Sequence, residues 1–206
     1  GRRGRAWVSP YGVNLYLSVR WAYACAPAAL GALSLALGVG LAGVLESHGY
    51  PVQVKWPNDL WLHRAKLGGI LVDVRGDAQG PCEVTVGVGL NVNMTAPVQA
   101  PDQAWTSLAR ESGSLVDRSA VATALLLGAE RVLESFPHPG FAAYEAQWAR
   151  RDALAGAQVC ATWVGDALCG TARGVAPDGS LRLETTQGLR LLGGGDVSVR
   201  AYGPAA

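Results

Sequence analysis

Lys55-Trp56-Pro57-Asn58-Asp59-Leu60, followed by Lys66-Leu67-Gly68-Gly69-Ile70-Leu71-Val72-Asp73, is the stretch on which the reading of this chain turns. The first run sets a lysine, an asparagine and an aspartate around a proline turn. The second puts a lysine at the mouth of an apolar, glycine-softened strand. A charged amine entering core-like sequence is unfavourable unless it meets an anion. The pattern therefore predicts a site for a negatively charged small molecule, with Asp59 seven residues upstream of Lys66. Taken singly, each residue has a plainer use. Lys66 suits a strand edge where its head stays in water, and Asp59 suits a turn cap.

Working outward, residues 52–55 read as a short strand that the proline prevents from continuing. Residues 14–21 alternate apolar and polar, as a strand with one wet face does. Between them, residues 28–45 are apolar, uncharged and close to membrane-spanning length. That run is rich in small residues, begins after Pro27 and ends at Glu46-Ser47-His48-Gly49, an ordinary helix stop. It is read as a buried helix, with no membrane span. Residues 67–75 and 83–92 form two strands around a Gly-Asp-Ala-Gln-Gly-Pro loop, and residues 94–103 a mobile loop. Asp117 is placed to cap a helix over 118–136, with a second helix at 141–151. From 159 to 200, short strand-like runs separated by turns at 164–166, 177–179 and 187–188 suggest a small β-barrel of the SH3-like or OB kind.

Composition narrows the class. Of 206 residues, 50% are hydrophobic and 16% charged, which describes a folded globular chain. A formal net charge of +1 gives no electrostatic case for nucleic acid or acidic membranes. Cys25, Cys82, Cys160 and Cys169 form no Cys-x-x-Cys pair and read as reduced, mostly buried thiols of a cytoplasmic protein. The three histidines are equally scattered, so no Cys/His spacing points to a metal site.

Two further stretches carry chemistry-bearing residues. Gly1-Arg2-Arg3-Gly4-Arg5-Ala6-Trp7 joins glycines, which let backbone amides approach an anion, to guanidinium forks that suit carboxylate or phosphate. Alone, such a terminus is more often a solvated tail or an incidental nucleic-acid contact. Gly87-Val88-Gly89-Leu90-Asn91 leaves one strand face without side chains, either for something lying flat on it or for a bulge or a close helix.

Together these segments resemble the biotin protein ligases, which adenylate biotin and attach it to a carrier-protein lysine. The resemblance runs through GRRGRAW, SPYGVNLYLSVRW, VKWPNDL, KLGGILVD, GVGLNVN and the C-terminal GTARGVAPDGSLRLE and LLGGGDVSVR, in order and spacing. It implies an α+β fold, with a mixed sheet packed on helices like that of class II aminoacyl-tRNA synthetases over residues 1–154. A C-terminal SH3-like β-barrel would then span residues 155–206. Biotin is the implied substrate, with ATP and Mg²⁺. Arg2 and Lys66 would hold the biotin carboxylate and the α-phosphate from opposite sides, as a fork and a point charge suit. Gly1 and Arg3 would belong to the loop over the adenylate, with Trp7 packed beneath it. Gly69, Ile70 and Leu71 would wall the bicyclic ring, and Gly87 and Gly89 would give it room. Asn91 would hold the nucleotide or its metal, Trp105 would stack on adenine, and Arg200 would reach the phosphates. Asp59 would orient or deprotonate the acceptor lysine, with Mg²⁺ binding as its competing role.

The family's glycine-rich motif begins earlier than Gly1, and its Ser-Thr-Asn segment and ureido-gripping glutamine have no counterpart here. The chain therefore reads as a fragment whose pocket lacks one wall; whether a helix-turn-helix repressor domain preceded it is left open. The implied partner is a biotin carboxyl carrier protein, with a homodimer as a further expectation and no nucleic acid from this chain. A lipoate or octanoate ligase shares the fold, but a straight acyl tail needs a tunnel where biotin needs a compact box. A regulator that holds biotinyl-adenylate without turnover would use the same residues.

Overall fold

The computed structural model describes residues 10–97, 103–163, 165–195 and 197–202. Gly1, Arg2, Arg3 and Trp7 lie outside the described residues, as do residues 98–102 of the loop expected at 94–103.

The alternation at residues 14–21 builds the first strand, β1 (Leu15–Tyr23). Leu15, Leu17, Val19 and Trp21 pack on the core, while Tyr16, Ser18 and Arg20 stand on the exposed face. β1 pairs with β5 (Cys82–Leu90), β5 with β4 (Ala65–Gly76), and β3 (Asp59–Leu62) and β2 (Gln53–Lys55) follow. All four pairings are antiparallel. The mixed sheet expected from the resemblance is thus antiparallel through its named strands, and among the described residues parallel pairing is confined to isolated bridges at Val54–Asp152 and Lys66–Trp105. Tight links between β2, β3, β4 and β5 leave no room for the crossovers that parallel neighbours require.

The apolar segment becomes a 3₁₀ turn (Pro27–Leu30) and α1 (Leu33–Ser47), and Leu33, Leu37, Val39 and Leu41 are fully buried. α1 lies between the sheet and α3 (Arg118–Ser135). The two helices cross closely: a Cβ on Gly40 would meet Val132 at 2.5 Å, and one on Gly128 would meet Val44 at 2.7 Å. Residues Pro27–Ser47 are long and apolar enough to cross a membrane, yet 61% of an apolar 18-residue window within them is buried in the fold. A helix covered on both sides is apolar all round for that reason.

Asp117 caps α3 as expected, its Oδ1 accepting from the amides of Ser119 at 2.8 Å and Ala120 at 3.3 Å. The helix expected over 141–151 is shorter, with a 3₁₀ turn (Gly140–Ala143) ahead of α4 (Glu145–Arg151). α2 (Leu108–Ser112), capped by Ser107, was not foreseen, because five residues carry too little periodicity to register.

The strand-like runs after residue 158 form β6 (Gln158–Trp163), β7 (Asp166–Val175), β8 (Leu181–Thr185), β9 (Gly188–Leu192) and β10 (Ser198–Ala201). They make a second antiparallel sheet, ordered β10-β6-β7-β8-β9, around Val159, Ala161, Leu183 and Val199. The turn between β7 and β8 joins it to the first unit. There the buried Trp56 indole donates from Nε1 to the Gly179 carbonyl at 2.9 Å.

The reduced-thiol expectation is corrected at two of the four cysteines. Cys160 and Cys169 face each other across β6 and β7 and form a disulfide, with Cα atoms 4.0 Å apart. Only Cys82 is buried, and Cys25 is half-buried. Spacing alone carried no sign of the pairing, which depends on hairpin register.

Two stability measurements test these features. Trp56→Phe strands the Gly179 carbonyl without its donor and trims a fully buried ring, so urea unfolding should show a loss of at least about 1–3 kcal/mol. An unchanged midpoint would mean that the junction contributes nothing. The disulfide closes a sequence separation of 9, for which loop entropy gives at most about 3 kcal/mol. Thiol reductant should lower the urea midpoint within that bound and leave the protein folded; unfolding on reduction would contradict it.

Candidate anion site on the open face of the first sheet

The two opening motifs meet in a hairpin. β3 and β4 are joined by His63 and Arg64, with φ values of 48° and 64°. Two successive left-handed residues make the turn type that matches strand twist. Without an Asn-Gly or Asp-Gly pair at the turn, β3 escaped the sequence reading.

Register in this hairpin decides where Lys66 points. Asp59 pairs with Gly69 and Leu60 with Gly68, but Trp61 pairs with Lys66, so Leu67 is an extra residue on β4. Side chains alternate along a strand, and an unbulged β4 would place Lys66 on the face of Gly68. The bulge moves it to the face of Asp59 and Trp61, re-aiming a side chain as bulges beside functional sites do. There Lys66 Nζ lies 2.7 Å from Asp59 Oδ1, the two side chains 20% and 14% exposed. Lys55 is directly opposite Asp59 on β2, 7% exposed, with Nζ 5.2 Å from the centre of the Trp61 ring. Two lysines and one carboxylate thus share this face, the Lys66–Asp59 pair in contact and Lys55 beside it in register.

Across the same face runs a row of cross-strand partners: Tyr16, Gly89, Gly69, Asp59 and Lys55, one from each strand. The next row is Ser18, Gly87 and Leu71. Glycine at the centre of these rows leaves a flat-floored trough. Tyr16 and Ser18 stand on one side and the charged cluster on the other. Tyr16 is 43% exposed and Leu71 49% exposed, so the trough is open.

The glycines are not equivalent. A Cβ on Gly68 would lie 2.5 Å from the Gly89 carbonyl oxygen, so backbone packing demands glycine there. A Cβ on Gly87 would meet nothing closer than Leu71 at 3.8 Å, an ordinary contact. Glycine weakens a strand interior, and at Gly87 neither packing nor a positive φ requires it.

Not every expected residue joins the site. Ile70 faces the opposite way, 2% exposed in the core, because it alternates with Gly69 and Leu71; its amide and carbonyl are tied to Asn58 at 2.8 Å and 2.6 Å. Asn91 sits at the end of β5 with its amide engaged: Nδ2 donates to the Thr106 carbonyl at 3.0 Å, and Oδ1 accepts from Asn14 at 3.3 Å. Trp105 is brought beside Lys66. The Lys66 amide donates to the Ala104 carbonyl and the Thr106 amide to the Lys66 carbonyl, both at 2.9 Å. Arg200 lies on β10, exposed and cross-strand from Cys160, in the second sheet. Tyr16 and Ser18 were missed; their strand was legible, but their place over the glycines depends on β1–β5 register.

A hollow of about 440 Å³ lies between the two sheets, lined by Trp56, Pro57, Asn58 and Leu71 from the first and by Asp178 and Gly194 from the second. Neither Lys66 nor Asp59 lines it.

Comparison with known proteins narrows the chemistry. Residues 1–91 match the model of the Biotin/lipoate A/B protein ligase family. The chain is 37% identical to the bifunctional ligase/repressor BirA of Escherichia coli, over 98% of its own length and 63% of that protein's. It is 29% identical to the biotin–[acetyl-CoA-carboxylase] ligase of Paracoccus denitrificans, over 96% of its own length and 84% of that protein's. Among solved structures, the biotin protein ligase of Aquifex aeolicus in complex with biotin and ATP superposes with a TM-score of 0.81 at 25% identity, covering 98% of this chain and 84% of that one. The chain spans 62–63% of the length of the four BirA relatives it matches. Motif order, the glycine-floored face and these similarities agree: residues 1–91 belong to the Biotin/lipoate A/B protein ligase family, and the chain is similar over nearly its whole length to biotin protein ligases.

Proposed function

We propose that this protein is an ATP-dependent ligase that converts biotin to biotinyl-5′-AMP and transfers the biotinyl group to a lysine of a biotin carboxyl carrier protein. The observation that carries the reading is the flat glycine floor ending at the Lys66–Asp59 pair. A fused bicyclic ring fits such a floor, and its carboxylate would then meet the ammonium of Lys66. A long flexible acyl chain, as in lipoate or octanoate, would gain little from a flat open trough.

In the first step the biotin carboxylate oxygen attacks the α-phosphorus of ATP and pyrophosphate leaves. Lys66 would neutralise the attacking carboxylate and the α-phosphate together, lowering the repulsion between two anions. Arg2, by resemblance, would do the same from the facing loop, beside Gly1, Arg3 and Trp7. Mg²⁺ would enter with ATP. Among the described residues no group of three or more His, Cys, Asp or Glu side chains is arranged to hold a metal ion. Phosphate oxygens would therefore carry it, with Asn91 or Asp59 adding at most a ligand. In the second step the acceptor amine attacks the acyl carbon and AMP leaves. An unperturbed lysine has a pKa near 10.4, and Asp59, released from Lys66 by the incoming anion, would orient that ammonium or take its proton.

Residues 1–154 are read as the catalytic domain and residues 155–206 as an SH3-like barrel, supported by five short antiparallel strands around one apolar centre. Arg200 of the barrel would reach the phosphates. Among the described residues, the edge of β4 from Leu71 onward pairs with β5 on one side only, which suits a second copy of this chain. Such an enzyme works in the cytoplasm, with ATP and the apo-carrier.

An avidin blot for biotin transfer to an apo-carrier domain, with Mg²⁺ and ATP, tests the reading. Transfer is expected; adenylate formation without transfer would favour the regulator, and neither would send the search to lipoate. Lys66→Ala should abolish adenylation. Asp59→Asn should keep adenylation and slow transfer about 100-fold at neutral pH. Its deficit should shrink as pH rises, because more acceptor amine is then unprotonated. Normal transfer by Asp59→Asn at neutral pH would remove Asp59 from that role.

Gly87→Ala addresses the floor itself. The added methyl has room in the protein but would stand where the ring lies. Biotin affinity should fall at least about tenfold, while the unfolding midpoint stays level or rises. Unchanged affinity would mean that nothing lies on Gly87.

A further inference from the structure

We propose that Arg110 is a positioning residue for the nucleotide half of the site, holding the Trp105 indole beside Lys66 by covering one of its faces. The inference rests on the ligase reading, in which Trp105 stacks on adenine, and adds the group that sets the plane of that ring.

Trp105 belongs to no strand or helix and is half-buried. Its backbone is fixed by the hydrogen bonds that flank Lys66, but these leave the indole free to rotate about χ1 and χ2. Arg110 removes that freedom. Its guanidinium carbon lies 4.7 Å from the centre of the Trp105 ring, well inside the range of cation–π attraction. A planar guanidinium stacks on an indole and so defines the orientation of the ring as well as its position.

Two other contacts hold Arg110 where it can do this. Its amide donates to the Ser107 hydroxyl at 3.2 Å, closing the N-cap of α2, and Nη1 donates to the Thr95 carbonyl at 3.2 Å. The Ser107 hydroxyl in turn donates to the Met94 carbonyl at 2.6 Å. Arg110 and Ser107 therefore tie residues 94–95 and Trp105 to a single helical turn. The next residue, Glu111, lies 3.4 Å from His63 at the β3–β4 turn. α2 thus braces Trp105 on one side and the hairpin bearing Asp59 and Lys66 on the other. A five-residue helix has almost no stability of its own, so its role here comes from these attachments.

Two measurements on the full chain separate this proposal from the reading beneath it. Hydrogen exchange without ligand reports the brace. In Arg110→Ala, the Thr106 amide, bonded to the Lys66 carbonyl, should exchange about two- to fivefold faster, the factor that an exposed cation–π contact supplies. Calorimetric binding of Mg²⁺·α,β-methylene-ATP, which cannot transfer its adenylyl group, reports the nucleotide. Arg110→Ala and Trp105→Ala should each weaken it, Arg110→Lys should restore part of the loss, and Arg110→Ala should add nothing in a Trp105→Ala background. Unchanged exchange in Arg110→Ala, or additive losses in the double variant, would overturn the proposal. Full analogue affinity in Trp105→Ala would overturn the adenine role of Trp105. Faster exchange alongside that result would leave Arg110 a brace of the fold alone and would equally end its nucleotide role.

Discussion

Lys66 meets Asp59 because β4 carries one more residue than β3 across the hairpin. That single insertion turns the lysine from the packed face of the sheet to the open one. An ammonium directed into the α1 side would enter the buried apolar core and bear a desolvation penalty of several kcal/mol. On the open side it has the Asp59 carboxylate for company. The chemistry proposed for this protein, from carboxylate capture to the approach of an acceptor amine, depends on that change of face.

Around the pair, the sheet separates two uses of glycine. Gly68 is demanded by a backbone oxygen on the neighbouring strand, and its meaning is structural. Gly87 has room for a methyl, whose nearest contact would be Leu71 at 3.8 Å, and only the proposed function gives it a use as a floor. Both sit within glycine-rich motifs and look alike along the chain. Their difference emerges only when a methyl is imagined on each.

The far side of the sheet supplies the rigidity that a preorganised site requires. α1 is covered by the sheet and by α3, with glycines permitting the close crossing, and this accounts for a run of sequence that otherwise resembles a membrane span. Trp56, next to the Pro57-Asn58-Asp59 turn, is anchored to the second sheet through Gly179. A disturbance in the C-terminal sheet therefore has a short route to the turn that carries Asp59.

By itself the sequence determined the local elements whose periodicity is strong: β1, α1, the β4–β5 hairpin, the Asp117-capped α3 and the series of short C-terminal strands. It also singled out Lys66, Asp59, Gly87 and Gly89, because a charge in an apolar run and glycines in a strand are anomalies visible without coordinates, whereas Gly69 and Leu71 were named only through the resemblance to biotin protein ligases. Register and face lay beyond it. One residue of slip inverts every side chain of a strand, so the bulge at Leu67, the core-facing side of Ile70, the Cys160–Cys169 pairing and the alignment of Tyr16 and Ser18 over the glycines belong to the tertiary structure. The same holds for α2, whose five residues are too few to announce themselves and whose Arg110 gains its meaning from the ring it covers. Composition and period act over a few residues along the chain, whereas the site is made by hydrogen-bonded register between strands that the chain brings together from far apart.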